Sequence, residues 1–452
     1  MTNTLRRSAE RLSVGVEKYM PHSFVFAITL TIIAYIVGVL ATSTGPFDVV
    51  MEWNSEFWGF LGFAMQLTII IVTGYGIATA PVVRNGINRL VRIPNTAFQA
   101  YISIAIFAFL VNLVHWGLGL VAGALYAIFL GKERDDVDFG YIVAIAYSAG
   151  VVGAGGSISQ TAPLLVNTPG HFMEDQIGLI PLSETIFSPF HLVMIWSTFL
   201  VLLVIVYFTY PTQENTEPLP DEKVDDLVPE YQSDLGSSTL ASRLNNSRIF
   251  NISIVLLGGT VSASLIISEG PFQMLELNTM NMIFLTMGIA LHGNVVTYAS
   301  AVTDGAERCG QVILQFPFYG GIQGILIGTG LAGILIDSVA SISSAETFPF
   351  LVWLMTGIIN VFVPSGGGQY IVTAEIIHPA AESLGVPHPA IVTAYTVGDV
   401  WTNLLNPFWA LPVLGIAGLK VRDVWGYVIM VLIAYGVIVG GLALLFPVLG
   451  LI

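Results

Sequence analysis

Fifteen lysines and arginines are all that this 452-residue chain carries, and none falls inside its long apolar runs. Those runs cover residues 22–42, 57–82, 139–168, 188–210, 249–267, 279–301, 312–337, 389–418 and 424–448. A run of about 20 apolar residues matches the ~30 Å hydrocarbon core of a bilayer, where every backbone N–H and C=O must find its partner within the protein. Nine such runs in a chain that is 54% hydrophobic and 10% charged leave one fold class, an all-α polytopic membrane protein.

Two further apolar stretches, 97–131 and 346–385, are interrupted in the middle by VNLVHWGLG and NVFVPSGGGQ. They read as re-entrant helical hairpins with tips near mid-membrane; if their arms cross fully, the span count rises to thirteen. Positive charge orients the whole. With the N-terminus in the cytoplasm, every Lys and Arg lands inside, and the outer loops 43–56, 169–187, 268–278, 338–345 and 386–388 hold none. The C-terminus is then outside, in a multi-pass protein of the cell membrane. Residues 1–21 are expected to be a retained cytoplasmic segment rather than a cleaved signal, and 211–248 an acidic, proline-bearing cytoplasmic linker. The net charge of −15 argues against nucleic acid as a partner, and the lone Cys309 excludes an internal disulfide.

The chain carries its interrupted segments twice. Asn112 stands to Asn360 as AYSAG (146–150) stands to AYTVG (394–398), each pair 248 residues apart, and Pro163 is offset from Pro412 by 249. The first hairpin opens to the cytoplasm and the second to the outside, so the halves are inverted repeats, 22–210 and 279–452, joined through a connecting helix in 249–278. Each repeat holds one hairpin and one interrupted helix, 139–168 and 389–418, and Thr73–Gly74 is echoed by Thr329–Gly330.

Matched Gly- and Pro-broken segments at membrane depth point to a transporter site, because exposed backbone is tolerated there only against protein or a water-filled cavity. A restarting helix offers free N–H groups to a carboxylate, and the carbonyls before the break suit Na⁺. The expected substrate-binding groups are Ser157, Ser159 and Thr161 in the first break, Ser365, Gly366, Gly367 and Gln369 at the second tip, and Thr402, Asn403 and Asn406 in the second break. His115, at the first tip opposite Val363, is a candidate for substrate contact or proton carriage. Asn112, Asn360 and Asp399 are expected to serve the coupling ion, since an ionised carboxylate in mid-span costs about 2.5–3.5 kcal/mol. Trp116, Trp401 and Trp409 are candidates to line an apolar slot for an acyl chain, His292 and Asp337 read as structural, and Glu375 with His378 lacks the further ligands of a metal site. With no cation inside any span, the substrate is expected to be a small monoanion held by helix ends and neutral donors. No cofactor is expected beyond Na⁺ or H⁺ as coupling ion.

Through HWGLGL, AYSAGVVGAGGSISQTAPLLVN, VPSGGGQ and GDVWTNLLNPFWALP the chain resembles the short-chain fatty acid transporter family (AtoE type) over nearly its whole length. That resemblance implies membership of the ion transporter superfamily, with inverted repeats, two re-entrant hairpins, a homodimeric assembly and an elevator movement of a transport domain past a scaffold. Better-known members carry Ser-Asn-Thr signatures at the hairpin tips, where this chain reads HWGLG and PSGGGQ. The expected activity is secondary transport of acetate, butyrate or acetoacetate, with a dicarboxylate or amino-acid carrier as the alternative. An intramembrane hydrolase using Ser157 with His115 and an ion channel are the readings from other classes.

Overall fold

The computed structural model describes residues 23–211, 216–219, 239–270, 274–362 and 364–450. The expected N-terminal segment 1–21, most of the linker 211–248 and the position of Val363 lie outside these residues. Among them every regular element is helical. Five helices are long and apolar enough to cross a membrane, or six when one bent pair is taken as a single span.

The first half runs α1 (Ser23–Ala41), α2 (Pro46–Glu56), α3 (Leu61–Thr79), α4 (Pro81–Leu90), α5 (Ala97–Val114), α6 (Trp116–Glu133), α7 (Phe139–Gly155), α8 (Thr161–Val166) and α9 (Pro189–Thr209). After α10 (Arg248–Glu269), the second half runs α11 (Leu277–His292), α12 (Val295–Ala306), α13 (Gly310–Gly328), α14 (Leu331–Ser341), α15 (Phe348–Phe362), α16 (Gly366–Leu384), α17 (His388–Asn403), α18 (Pro407–Ala417) and α19 (Val421–Val448). Polar caps set the boundaries. Thr96 accepts from Gln99 N at the start of α5, Asp138 from Tyr141 N at α7, and Ser188 from His191 N at α9, with Pro189 in the first turn.

Helices α5 and α6 form an antiparallel hairpin, in which Tyr126 donates to Ser103 at 3.0 Å and Gly123 faces Ala108. Each arm has 18 residues, and at 1.5 Å per residue reaches ~27 Å, most of a hydrocarbon core. Gly119 sits against Asn112 near the tip, where any side chain would collide with the Asn112 amide.

Four expected spans are broken rather than two. Besides 139–168 and 389–418, the run 279–301 divides at Gly293, whose left-handed φ of 68° ends α11 before Asn294 caps α12. The run 312–337 divides at Gly330, φ 74°, and α13 and α14 meet there at 80°. A glycine inside an apolar run carries no periodicity signal, so each break was hidden in sequence. The echo of Thr73–Gly74 in Thr329–Gly330 does not extend to structure: Gly74 lies inside α3 against Leu118 N, whereas Gly330 makes the bend. The segment 43–56, expected as an outer loop, contains α2, whose Glu52, Trp53 and Glu56 lie on the Gly320, Gly321, Gly324 and Gly328 face of α13. Its three acids interrupt the apolar run that would have marked it in the sequence.

Candidate functional site

The first hairpin ends in a cap. His115 has an extended backbone, and its Nδ1 accepts from Gly117 N at 3.0 Å and Leu118 N at 3.2 Å, leaving the ring proton on Nε2. The ring is fully buried with its centroid 4.2 Å from that of Phe284, so His115 starts α6 and does not face the central cavity. The break between α7 and α8 folds back onto the same tip. Trp116 N donates to Ser159 Oγ at 3.2 Å, Trp116 Nε1 to the Ser159 carbonyl at 3.1 Å, and Ile158 N to the Leu113 carbonyl at 2.9 Å. Ser157 and Ser159 join their hydroxyls at 3.0 Å, and His191 donates to the Gly155 carbonyl at 2.8 Å.

The second half repeats the arrangement with different groups. Asn406 Nδ2 reaches the Val361 carbonyl at 3.3 Å, and these two residues stand 248 positions after Ile158 and Leu113. Asn360 Nδ2 donates to the Asp399 carbonyl at 2.7 Å, with Thr402 Oγ1 at 3.0 Å and Asn403 Oδ1 at 2.7 Å. Thr402 in turn donates to the Gly357 carbonyl, Gln369 to the Thr356 carbonyl and Tyr395 to the Gly366 carbonyl. Ser365 Oγ caps α16 by accepting from Gly368 N at 3.1 Å. The N–H groups of Gly366 and Gly367, in the first turn of α16, therefore precede any helical acceptor.

Asp399 is 4% exposed, and its Oδ1 makes no hydrogen bond. The carboxylate lies against the start of α16: a Cβ on Gly366 would stand 3.1 Å from Oδ2. A buried charge with no cation beside it is costly, so this carboxylate calls for a proton, a cation or the positive end of a helix.

The two halves enclose one cavity, of about 470 Å³ including its open mouth. Gln160 and Thr161 line it from the first break and Gly366, Asp399 and Asn403 from the second half, while Leu120, Val151, Ala154 and Val400 supply apolar wall. A second space of about 460 Å³ adjoins it, between the Ser365–Gly367 tip, Leu67 and Ile71 of α3, and Gln315, Phe316 and Tyr319 of α13. Trp116 and Trp409 border both, their rings edge to face at 5.4 Å. Asp399 is the single charged residue lining either space among the described residues.

Of the expected substrate groups, Thr161, Ser365, Gly366, Gly367 and Asn403 reach these spaces. Ser159, Thr402 and Asn406 instead tie tips or hairpin arms to breaks, Ser157 bonds Ser159 within the first break, His115 caps α6, and Gln369 joins the two arms of the second hairpin. Of the expected ion groups Asp399 lines the cavity, whereas Asn112 and Asn360 are buried behind it, each with an unpartnered Oδ1. Trp401 does not line the slot; it stacks on Trp353 at 4.5 Å and donates to the Leu432 carbonyl. His292 donates to the Gly76 carbonyl, in keeping with its structural reading. Glu375 and His378 diverge, the first to Gln323 and the second to Tyr370 and His388. Sequence reasoning did not assign Gln160, the apolar wall, or Tyr147, whose hydroxyl donates to the Asn403 carbonyl at 2.5 Å. Gln160 was within sight, being the last polar residue before a helix restart.

An all-helical transporter fold is also what comparison finds. The chain superposes on the crystal structure of the YdaH transporter of Alcanivorax borkumensis, described as having an unusual topology, with a TM-score of 0.57 at 16% identity, covering 95% of this chain and 99% of that one. It is 33% identical over 437 residues to a protein of Haemophilus influenzae Rd, covering 95% of this chain and 97% of that one. It is 33% identical over 424 residues to one of Escherichia coli K12, covering 94% and 96%. Both relatives are provisionally named short-chain fatty acid transporters. A shorter match, 28% identity over 159 residues covering 32% of this chain and 31% of the other, is to an E. coli K12 protein provisionally named a basic amino acid antiporter. The family described as "Short chain fatty acid transporter" matches residues 4–446. Its span takes in both tips, both breaks and the cavity between them, and on that likeness this chain, a membrane transporter rather than an enzyme, belongs to the short-chain fatty acid transporter family.

Proposed function

We propose that the protein is a cation-coupled secondary carrier of small monocarboxylates such as acetate, butyrate and acetoacetate. The observation that carries this reading is the pairing, in one cavity, of an acidic side chain with helix-end donors and an apolar wall. A substrate carboxylate seated at the Gly366–Gly367 amides would lie beside Asp399, and two like charges in a poorly solvated space cannot both stay uncompensated. Binding therefore requires a proton or Na⁺ alongside the anion, which is the physical content of symport. The lining holds no arginine or lysine to clamp a second carboxylate, which disfavours dicarboxylates.

The corresponding contacts of Leu113–Ile158 and Val361–Asn406 support inverted repeats, in which hairpins α5–α6 and α15–α16 with their broken helices form the moving unit. Movement of that unit past α3 and α13, elevator fashion, would expose the cavity to each side in turn, and family likeness favours a homodimer in the cytoplasmic membrane. A basic amino acid is the second reading, favoured by the shorter match and by Asp399 as partner for an amine.

Purified protein in proteoliposomes provides the test. An inward H⁺ or Na⁺ gradient should drive accumulation of labelled butyrate, with weak competition from succinate, lysine or ornithine. If neither gradient drives uptake of any monocarboxylate, the proposal is wrong; strong competition by lysine would replace it with the second reading.

A further inference from the structure

The cavity is polarised because matched positions in the two halves carry unlike residues. Asp399 of α17 corresponds to Val151 of α7, and Thr402 corresponds to Ala154, each 248 residues apart. The lining is polar at Gly366, Asp399 and Asn403, with Gln160 and Thr161 from the first break, and apolar at Leu120, Val151, Ala154 and Val400. Val151 thus brings an apolar side chain to the lining where its counterpart Asp399 brings a carboxylate. Such a mixed lining suits an amphiphile.

We infer that Leu120 and Ala154 form the gauge that sets which acyl chain lengths are carried, the carboxylate lying toward Gly366 and the alkyl tail toward α6 and α7. This rests on the monocarboxylate reading above and adds to it the residues that select among monocarboxylates. The two are singled out by exposure. Val151 and Val400 are 4% and 1% exposed and so belong mostly to the packed wall, whereas Leu120 and Ala154 keep part of their surface free while lining the cavity. The next residue, Gly155, has no such room: a Cβ there would meet Ile195 at 2.8 Å. A larger side chain at 154, which lines the cavity, takes up room within it. Leu120 lies one turn beyond Trp116 on α6, and both line the cavity.

Leucine in place of Ala154 adds three carbons, enough to occupy the room taken by the last methylenes of butyrate. Alanine in place of Leu120 removes three and opens the cavity by the same amount. A methylene that an apolar pocket accepts or rejects changes specificity by about tenfold or more.

The test compares initial uptake of acetate, butyrate and hexanoate in proteoliposomes for the wild type, Ala154→Leu and Leu120→Ala, each first shown to be monodisperse in detergent. The expected result is a butyrate-to-acetate ratio lowered about tenfold in Ala154→Leu, and a hexanoate-to-butyrate ratio raised several-fold in Leu120→Ala. Ratios unchanged in both variants, while the wild type carries butyrate, overturn the gauge and leave the transport reading standing. A wild type that carries no monocarboxylate overturns both. Because the two variants move selectivity in opposite directions, a fall in all rates through poor folding cannot imitate the expected outcome.

Discussion

At the scale of single residues, the polar groups of the two breaks divide into those that hold the backbone together and those that face the cavity. His115 belongs with the first: its Nδ1 takes two amide protons, which an imidazolium could not do. Replacing it with alanine strands those amides and should cost about 1–2 kcal/mol of stability. His115→Asn, which restores an acceptor, should recover thermal stability and uptake, whereas failure of the asparagine variant to carry substrate would return His115 to a proton-handling role. Asp399 behaves oppositely. Asp399→Asn keeps shape and hydrogen-bonding capacity but carries no charge for a proton or cation to neutralise, so uptake of butyrate should lose its dependence on the imposed gradient; unchanged coupling in that variant would remove Asp399 from the mechanism. These two residues also show the limit of reading sites from sequence. Both were visible as polar groups in apolar surroundings, and both deserved a hypothesis. His115 turned back to the amides of Gly117 and Leu118, two and three residues on, while the direction of Asp399 was set by the start of α16, which its local sequence does not name.

At the scale of elements, small residues let helices approach until backbones touch. Gly320, Gly324 and Gly328 repeat at i, i+4 on α13, and Glu52 and Glu56 of α2 fill the space that side chains would occupy. Gly324→Val should force α2 away and lower the melting temperature in detergent by several degrees, with a larger effect than the same change at Gly333, which has nothing nearby. Outside the membrane, the base of the first hairpin is closed by Arg134, which donates to the Pro94 carbonyl at 2.7 Å and pairs with Asp136 at 2.6 Å. The guanidinium holds the Asp136 carboxyl below the usual carboxylate range. A carboxyl whose folded value is depressed stabilises above its unfolded value and loses that contribution as pH falls through the folded one. The pair is partly solvated, so its worth is roughly 0.5 kcal/mol. The melting temperature should accordingly fall less between pH 7 and pH 3 in Asp136→Asn than in the wild type, and an equal fall in both would show that the pair contributes nothing.

At the scale of the whole molecule, the arrangement predicts topology. The inverted-repeat proposal, with α10 as the odd helix between the halves, places the termini on opposite faces. In a Cys309→Ala background, a cysteine placed after the last helix should react with a membrane-impermeant maleimide on intact cells, and one placed before α1 should not. Labelling of both from the same side would end the inverted-repeat reading. The exposed apolar residues of α1 and α10, such as Ile32, Ile36, Leu256 and Leu257, are the surfaces that lipid or a second copy would cover.

The helical membrane class and the helix interruptions within 97–131, 139–168, 346–385 and 389–418 were legible in the sequence, because the bilayer imposes requirements that act on consecutive residues: about 20 apolar positions per crossing, and no unpaired backbone facing lipid. The paired glycine-rich interruptions were legible for the same reason. The breaks at Gly293 and Gly330, the helix within 43–56, and the sorting of Ser157, Ser159 and Trp401 away from the cavity were not. Those outcomes depend on contacts between distant segments, such as Ser159 with Trp116, Trp401 with Trp353, and Asn403 with both Asn360 and Tyr147. Side-chain direction on a helix follows from what packs against it, and only the assembled tertiary structure supplies that neighbour.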